Sequence, residues 1–144
     1  MRSLRPLADV WFVLVVPAAT IPRKTATLYA ALAPEDFSSG ERVRHLAASI
    51  DAGRSLDPLL LANAFWRPLL GLRPELAEVK RAFSGAGAPF VALSGSGPTL
   101  YTGVSSILEA RVIVRRLRET LPQDVRIFVC RPVGRAPLIR IDDD

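Results

Sequence analysis

An α+β fold is what this 144-residue chain predicts, on three observations. Four apolar runs are short enough to be strands: Val10 to Val16, Phe90 to Leu93, Leu100 to Val104 and Val125 to Cys130. A long stretch of helical apolar spacing separates the first two, and one strongly amphipathic segment separates the last two. The middle pair is joined by Ser94-Gly95-Ser96-Gly97-Pro98-Thr99, whose glycines and proline suit a turn.

The first run, Val10 to Val16, is continuous rather than alternating, as in a strand that is central or covered on both faces, and Pro17 ends it. Ile21 to Thr25 then leads into a short helix over Thr27 to Leu32, which Pro34 terminates. Ser38 with Glu41 three residues on signals a capping box before Val43, Leu46, Ala47 and Ile50, predicting a second helix that closes near Gly53. A third helix is expected from about Pro58. Its apolar residues from Leu59 to Leu69 are so dense that most of its circumference should be covered.

Arg73-Pro74-Glu75 opens a fourth helix, with Leu76, Val79 and Phe83 on its apolar face and Gly85 and Gly87 as the stop. After the hairpin, Ser106 and Glu109 form a capping box for a helix that aligns Ala110, Ile113, Val114, Leu117 and Leu121. Arg111, Arg115 and Arg118 line its other side, read as a solvated face. Pro122 stops it before the last strand. Pro137 and Asp142 to Asp144 mark a tail, with partial order expected at Leu138 to Ile141. The resulting order is a ferredoxin-like split β-α-β-β-α-β unit with extra helices in the first crossover. No repeat or linker divides it, so residues 1–144 read as a single domain.

Composition narrows the function. A chain 49% apolar has a core, and its 19 basic against 14 acidic residues leave a net charge of +5. The basic residues are scattered without interleaved aromatics, which argues against a nucleic-acid partner. Cys130 is the only cysteine and is expected to be a buried small hydrophobe. With His45 the only histidine, no disulfide within the chain and no cysteine- or histidine-based metal site is expected. Arg2 and Arg5 before Val10 to Val16 and Ala18-Ala19 imitate a signal peptide, but Asp9 and the β-branched content favour a strand. With one cysteine and one histidine a cytoplasmic location is the default, and no run reaches the roughly 20 apolar residues of a membrane span, so no membrane partner is expected.

Three small residues in a row, Gly95, Ser96 and Gly97, leave backbone N–H groups uncovered, and such groups can converge on an anion. On the residues alone a glycine-rich hairpin turn comes first and an anion site second. Neither G-x-x-x-x-G-K-[ST] nor a dinucleotide fingerprint is present. Lys24 lies where it could reach a ligand phosphate, with an exposed helix-entrance lysine as the plainer reading. Asn63 is a polar residue in an apolar setting and needs hydrogen-bond partners, either backbone groups or a ligand.

Leu72 to Lys80, Gly85-Ala86-Gly87-Ala88, and Leu93 to Thr99 together resemble the C-terminal half of the GHMP small-molecule kinases. Val13 to Pro17, Ile21-Pro22 and Thr25 to Tyr29 fit the same pattern. Within that superfamily the likeness is greatest to the branch acting on a cytidine-diphosphate-linked methylerythritol. The resemblance implies a two-domain enzyme using ATP and Mg2+ to phosphorylate the 2-hydroxyl of that substrate in non-mevalonate isoprenoid synthesis. It gives Ser94, Gly95, Ser96, Gly97 and Thr99 a place beside the phosphates, and leaves Asn63 and Lys24 as substrate-side candidates. The family's ATP-cradling loop and its catalytic Asp and Lys belong to the N-terminal half, so no catalytic residue is expected in these 144 residues. The chain is expected to need that N-terminal domain as its partner, to be inactive alone, and to form homodimers only incidentally. One departure stands out: Asn63-Ala64-Phe65-Trp66 replaces a family pattern of Asn-Asp followed by Glu. Another GHMP kinase, for homoserine, mevalonate or a sugar, and a non-catalytic ferredoxin-like binding module are the alternatives.

Overall fold

The computed structural model describes residues 4, 5, 7, 9–18 and 23–133. The tail from Pro137 to Asp144, with the expected order at Leu138 to Ile141, lies outside them, as do Arg2, Ala19, Ile21 and Pro22. Strand β1 is Trp11–Val16. Helices α1 (Lys24–Ala30), α2 (Glu41–Asp51), α3 (Trp66–Leu72) and α4 (Leu76–Gly85) follow it. Then come β2 (Ala92–Leu93), β3 (Leu100–Val104), α5 (Ile107–Thr120) and β4 (Arg126–Cys130). The sheet order is β2-β3-β1-β4 with every pair antiparallel, the arrangement of the predicted split unit. Among the described residues no helix is long and apolar enough to cross a membrane.

Register explains the core. Val13 and Val15 stand opposite Thr102 and Leu100 on β3, and opposite Val129 and Ile127 on β4. They therefore share one face of the central strand, and α4 and α5 cover it. Leu76, Val79, Ala82 and Phe83 of α4 and Ala110, Ile113 and Leu117 of α5 are buried against this face with Leu28 and Leu69. The opposite face carries Phe12, Leu14, Tyr101 and Phe128, none of them fully buried.

Several expectations shift. α1 spans Lys24 to Ala30, not Thr27 to Leu32, and is entered through Arg23 in the left-handed region at φ +46°. The capping box before α2 does not form. Gly40 is the cap at φ +75°, and Ser38 Oγ accepts from the Gly40 N–H at 3.4 Å instead of reaching Glu41. The apolar face of α2 is only partly covered, with Val43 63% exposed.

The third helix is interrupted. Pro58–Leu60 is a single 3-10 turn capped by Asp57 Oδ1, and Leu59 is 83% exposed, so apolar density there did not mean burial. Asn63 Oδ1 captures the Phe65 N–H at 2.9 Å, a local turn that competes with a continuous helix and restarts it at Trp66. β2 is two residues long rather than four. Ser106 Oγ caps α5 through the Glu109 N–H, but the Glu109 carboxylate accepts from the N–H of Ser105 rather than of Ser106, so the box is displaced by one residue.

Cys130 is exposed, contrary to expectation. β4 is an edge strand, and Arg126, Phe128 and Cys130 alternate onto the face that α4 and α5 leave open.

Candidate functional site

The loop between β2 and β3 is a hairpin closed by the Leu93 and Leu100 pair. The Ser94 N–H donates to Thr99 O at 2.9 Å, and the Gly97 N–H turns back to Ser94 O at 2.8 Å. Of the two central residues of that inner turn only Gly95 takes a positive φ, +53°, the type II′ pattern in which glycine leads. Gly97 follows at φ +68° and is buried, packed against the side chains of Leu69 and Leu93. The Gly97-Pro98 bond is cis.

Both substrate-side candidates reach the loop's backbone. Asn63 Nδ2 donates to Leu93 O at 3.0 Å and to Gly95 O at 2.8 Å. Lys24 Nζ, from the first turn of α1, donates to Gly97 O. The segment before α3 and the start of α1, far apart in sequence, thus converge on one loop. Among the described residues the N–H groups of Gly95 and Ser96 have no acceptor, whereas that of Gly97 is consumed by the turn. The two adjacent unpaired N–H groups can donate to phosphate oxygens, and the Lys24 ammonium is held at the carbonyl of Gly97, the next residue along.

A cleft of about 660 Å³ adjoins the loop base, lined by Asn63, Trp66, Lys80, Ala92, Leu93 and Tyr101 among others. Lys80 Nζ lies 5.2 Å from the centroid of the Trp66 ring, a cation-π contact. Burial raises the Tyr101 hydroxyl above its ordinary range, so it remains a proton donor at neutral pH. A second cleft, about 490 Å³, lies around Phe90, Val104 and Ser105 at the other end of β3 and does not include the loop. No group of three His, Cys, Asp or Glu side chains able to hold a metal ion occurs among the described residues.

The rim of the loop-side cleft holds a pair that the sequence did not signal. Arg67 Nε donates to Asp36 Oδ1 at 2.8 Å, and Asp36 Oδ2 accepts from the Ala33 N–H at 2.8 Å. Hydrogen bonding from Arg67, and next the Ala33 N–H, holds the Asp36 carboxyl below the usual carboxylate range. This contribution to stability is present above the unfolded carboxyl's pKa and fades as pH falls through the lower folded value. Urea midpoints followed from about pH 5 to about pH 2 should therefore show Asp36→Asn less stable at the upper end, with the gap to the parent closing toward the lower. Thirty-one residues separate the partners, and no local pattern links them.

Solved structures share this architecture. A crystal structure of 4-(cytidine 5'-diphospho)-2C-methyl-D-erythritol kinase aligns with TM-score 0.69 and 26% identity, covering 94% of this chain and 46% of that one. A homoserine kinase from Cytophaga hutchinsonii aligns with TM-score 0.67 over 92% of this chain and 44% of that one, at 20% identity, a likeness of fold alone. The fold is that of the GHMP small-molecule kinases. No family model matches the chain. A curated relative from Dehalococcoides mccartyi, named 4-diphosphocytidyl-2-C-methyl-D-erythritol kinase, is 44% identical over 103 residues, 71% of this chain and 36% of the relative. The chain belongs, over the part it spans, to the 4-diphosphocytidyl-2-C-methyl-D-erythritol kinase family. That part is less than half the length of the relatives it matches.

Proposed function

We propose that residues 1–144 form the C-terminal domain of a kinase that transfers the γ-phosphate of ATP to the 2-hydroxyl of 4-diphosphocytidyl-2-C-methyl-D-erythritol. The observation that carries this reading is the pair of unpaired N–H groups at Gly95 and Ser96, on a loop braced by Asn63 and Lys24, in a chain of this family. Phosphoryl transfer spreads negative charge over equatorial oxygens, and fixed backbone donors stabilise that charge without reorganising. The loop therefore acts on the transferring phosphoryl group as a donor, neither base nor nucleophile.

Of ATP and Mg2+, the described residues fit only the phosphates, through Gly95 and Ser96; they offer no carboxylate cluster for the metal. In-line placement of the acceptor hydroxyl, its deprotonation and the nucleotide cradle fall to an N-terminal domain outside these 144 residues, which are inactive without it. The partners are that domain and the cytidine-diphosphate-linked substrate, in the cytoplasm, with homodimers incidental.

A kinase for homoserine or mevalonate is the competing reading, favoured only by shared fold. In the enzyme assembled with its N-terminal domain, cytidine nucleotides should compete with the phosphate acceptor and raise its KM. A KM that cytidine nucleotides leave unmoved, with turnover of homoserine or mevalonate, would favour the competitor.

A further inference from the structure

We infer that Asn63 is a positioning residue, whose side-chain amide aims the Ser96 N–H by holding the opposite end of the same peptide bond. A trans peptide is planar, with its C=O and N–H pointing in opposite directions. Gly95 O and the Ser96 N–H belong to one such peptide, since among the described residues the only cis bond is Gly97-Pro98. With Gly95 O drawn to Asn63 Nδ2 at 2.8 Å, the Ser96 N–H faces away from Asn63, where it meets no acceptor.

The same amide also holds Leu93 O, whose peptide partner, the Ser94 N–H, closes the hairpin on Thr99 O. One side chain thus fixes both the base of the loop and its tip. The amide has one usable orientation, because its Oδ1 already accepts from the Phe65 N–H. Lys24 differs in kind. The peptide it holds, Gly97 O, continues into Pro98, which has no N–H to aim, so Lys24 anchors the loop without directing a donor.

This inference gains its functional meaning from the anion-site reading above, and the two can be separated on the 144-residue chain. The HN–Hα coupling of Ser96, read by NMR without any anion, reports the peptide's orientation through the φ of Ser96. Inorganic pyrophosphate is then titrated in, and the Gly95 and Ser96 amides are followed. Asn63→Ala removes the donor; Asn63→Asp keeps an acceptor for the Phe65 N–H but cannot donate while ionised.

Both variants should change the Ser96 coupling and weaken pyrophosphate binding about ten-fold at neutral pH. On acidification only Asn63→Asp should return toward the parent coupling, because a protonated carboxyl can again donate to Gly95 O. A residue whose role lay only in its Oδ1 bond to the Phe65 N–H would show no such recovery. A Ser96 coupling identical to the parent's in both variants overturns the inference. If the coupling changes as stated while pyrophosphate moves no loop amide even in the parent, the positioning role stands and the anion-site reading falls.

Discussion

Gly97→Ala should lower the stability of the chain by about 2–4 kcal/mol, the sum of a left-handed backbone and an overpacked site. At φ +68° an added Cβ would lie 2.5 Å from Leu69 Cδ2 and 2.8 Å from Leu93 Cδ1, distances that real Cβ atoms do not tolerate. Both leucines are buried in the core, at 1% and 4% exposure, so neither can swing into solvent to make room. Gly95→Ala is the matched control. Gly95 also has a positive φ, +53°, but nothing lies within 4 Å of its added Cβ. Only the backbone term remains there, about 1 kcal/mol. Urea unfolding of the two variants should separate them clearly, and equal losses would mean that packing beneath the loop is not what demands glycine at position 97.

The larger functional effect is expected at Ser96. In the enzyme assembled with its N-terminal domain, Ser96→Pro should lower kcat by about 10²–10³-fold, the usual consequence of deleting one backbone donor from developing transition-state charge. Proline removes the N–H itself, which no other substitution does. The site can accept it: among the described non-glycine residues only Arg23 has a positive φ, so Ser96 is on the side that proline favours. The preceding residue is glycine, with no Cβ to clash with the proline ring. KM for the acceptor should change little, because the lost bond forms to the transferring phosphoryl group. A kcat within a few-fold of the parent's, in a variant that unfolds at the parent's urea midpoint, would remove the Ser96 N–H from the chemistry.

Much of this fold was legible because apolar period and length decide it. β1, β3 and α5 lie within a residue or two of their predicted bounds, each a long enough run with one dominant period. Two readings failed where a single polar side chain or glycine overrides local pattern. Asn63 breaks the expected third helix by taking the Phe65 N–H, and Gly40 replaces the Ser38 cap. Cys130 was misread because an apolar run does not say whether its strand is central or at an edge.

The candidate site was legible in outline only. Clustered glycines flagged the loop, and a polar residue among apolar ones flagged Asn63. What the sequence could not supply was convergence: Lys24 is 73 residues from Gly97, and Asn63 is 32 from Gly95. Such pairings depend on how α1 and the segment before α3 pack beside the hairpin. The Asp36 and Arg67 pair escaped notice for the same reason.

The central claim is that this chain contributes a phosphate-side loop to a kinase whose catalytic groups lie in an N-terminal domain outside these 144 residues. It is tested by supplying ATP, Mg2+ and 4-diphosphocytidyl-2-C-methyl-D-erythritol to the chain alone, and to the chain fused behind the complementary part of the Dehalococcoides mccartyi relative. The account predicts no phosphorylated product from the chain alone and turnover from the fusion. Turnover by the chain alone, or none from a folded fusion, would contradict it.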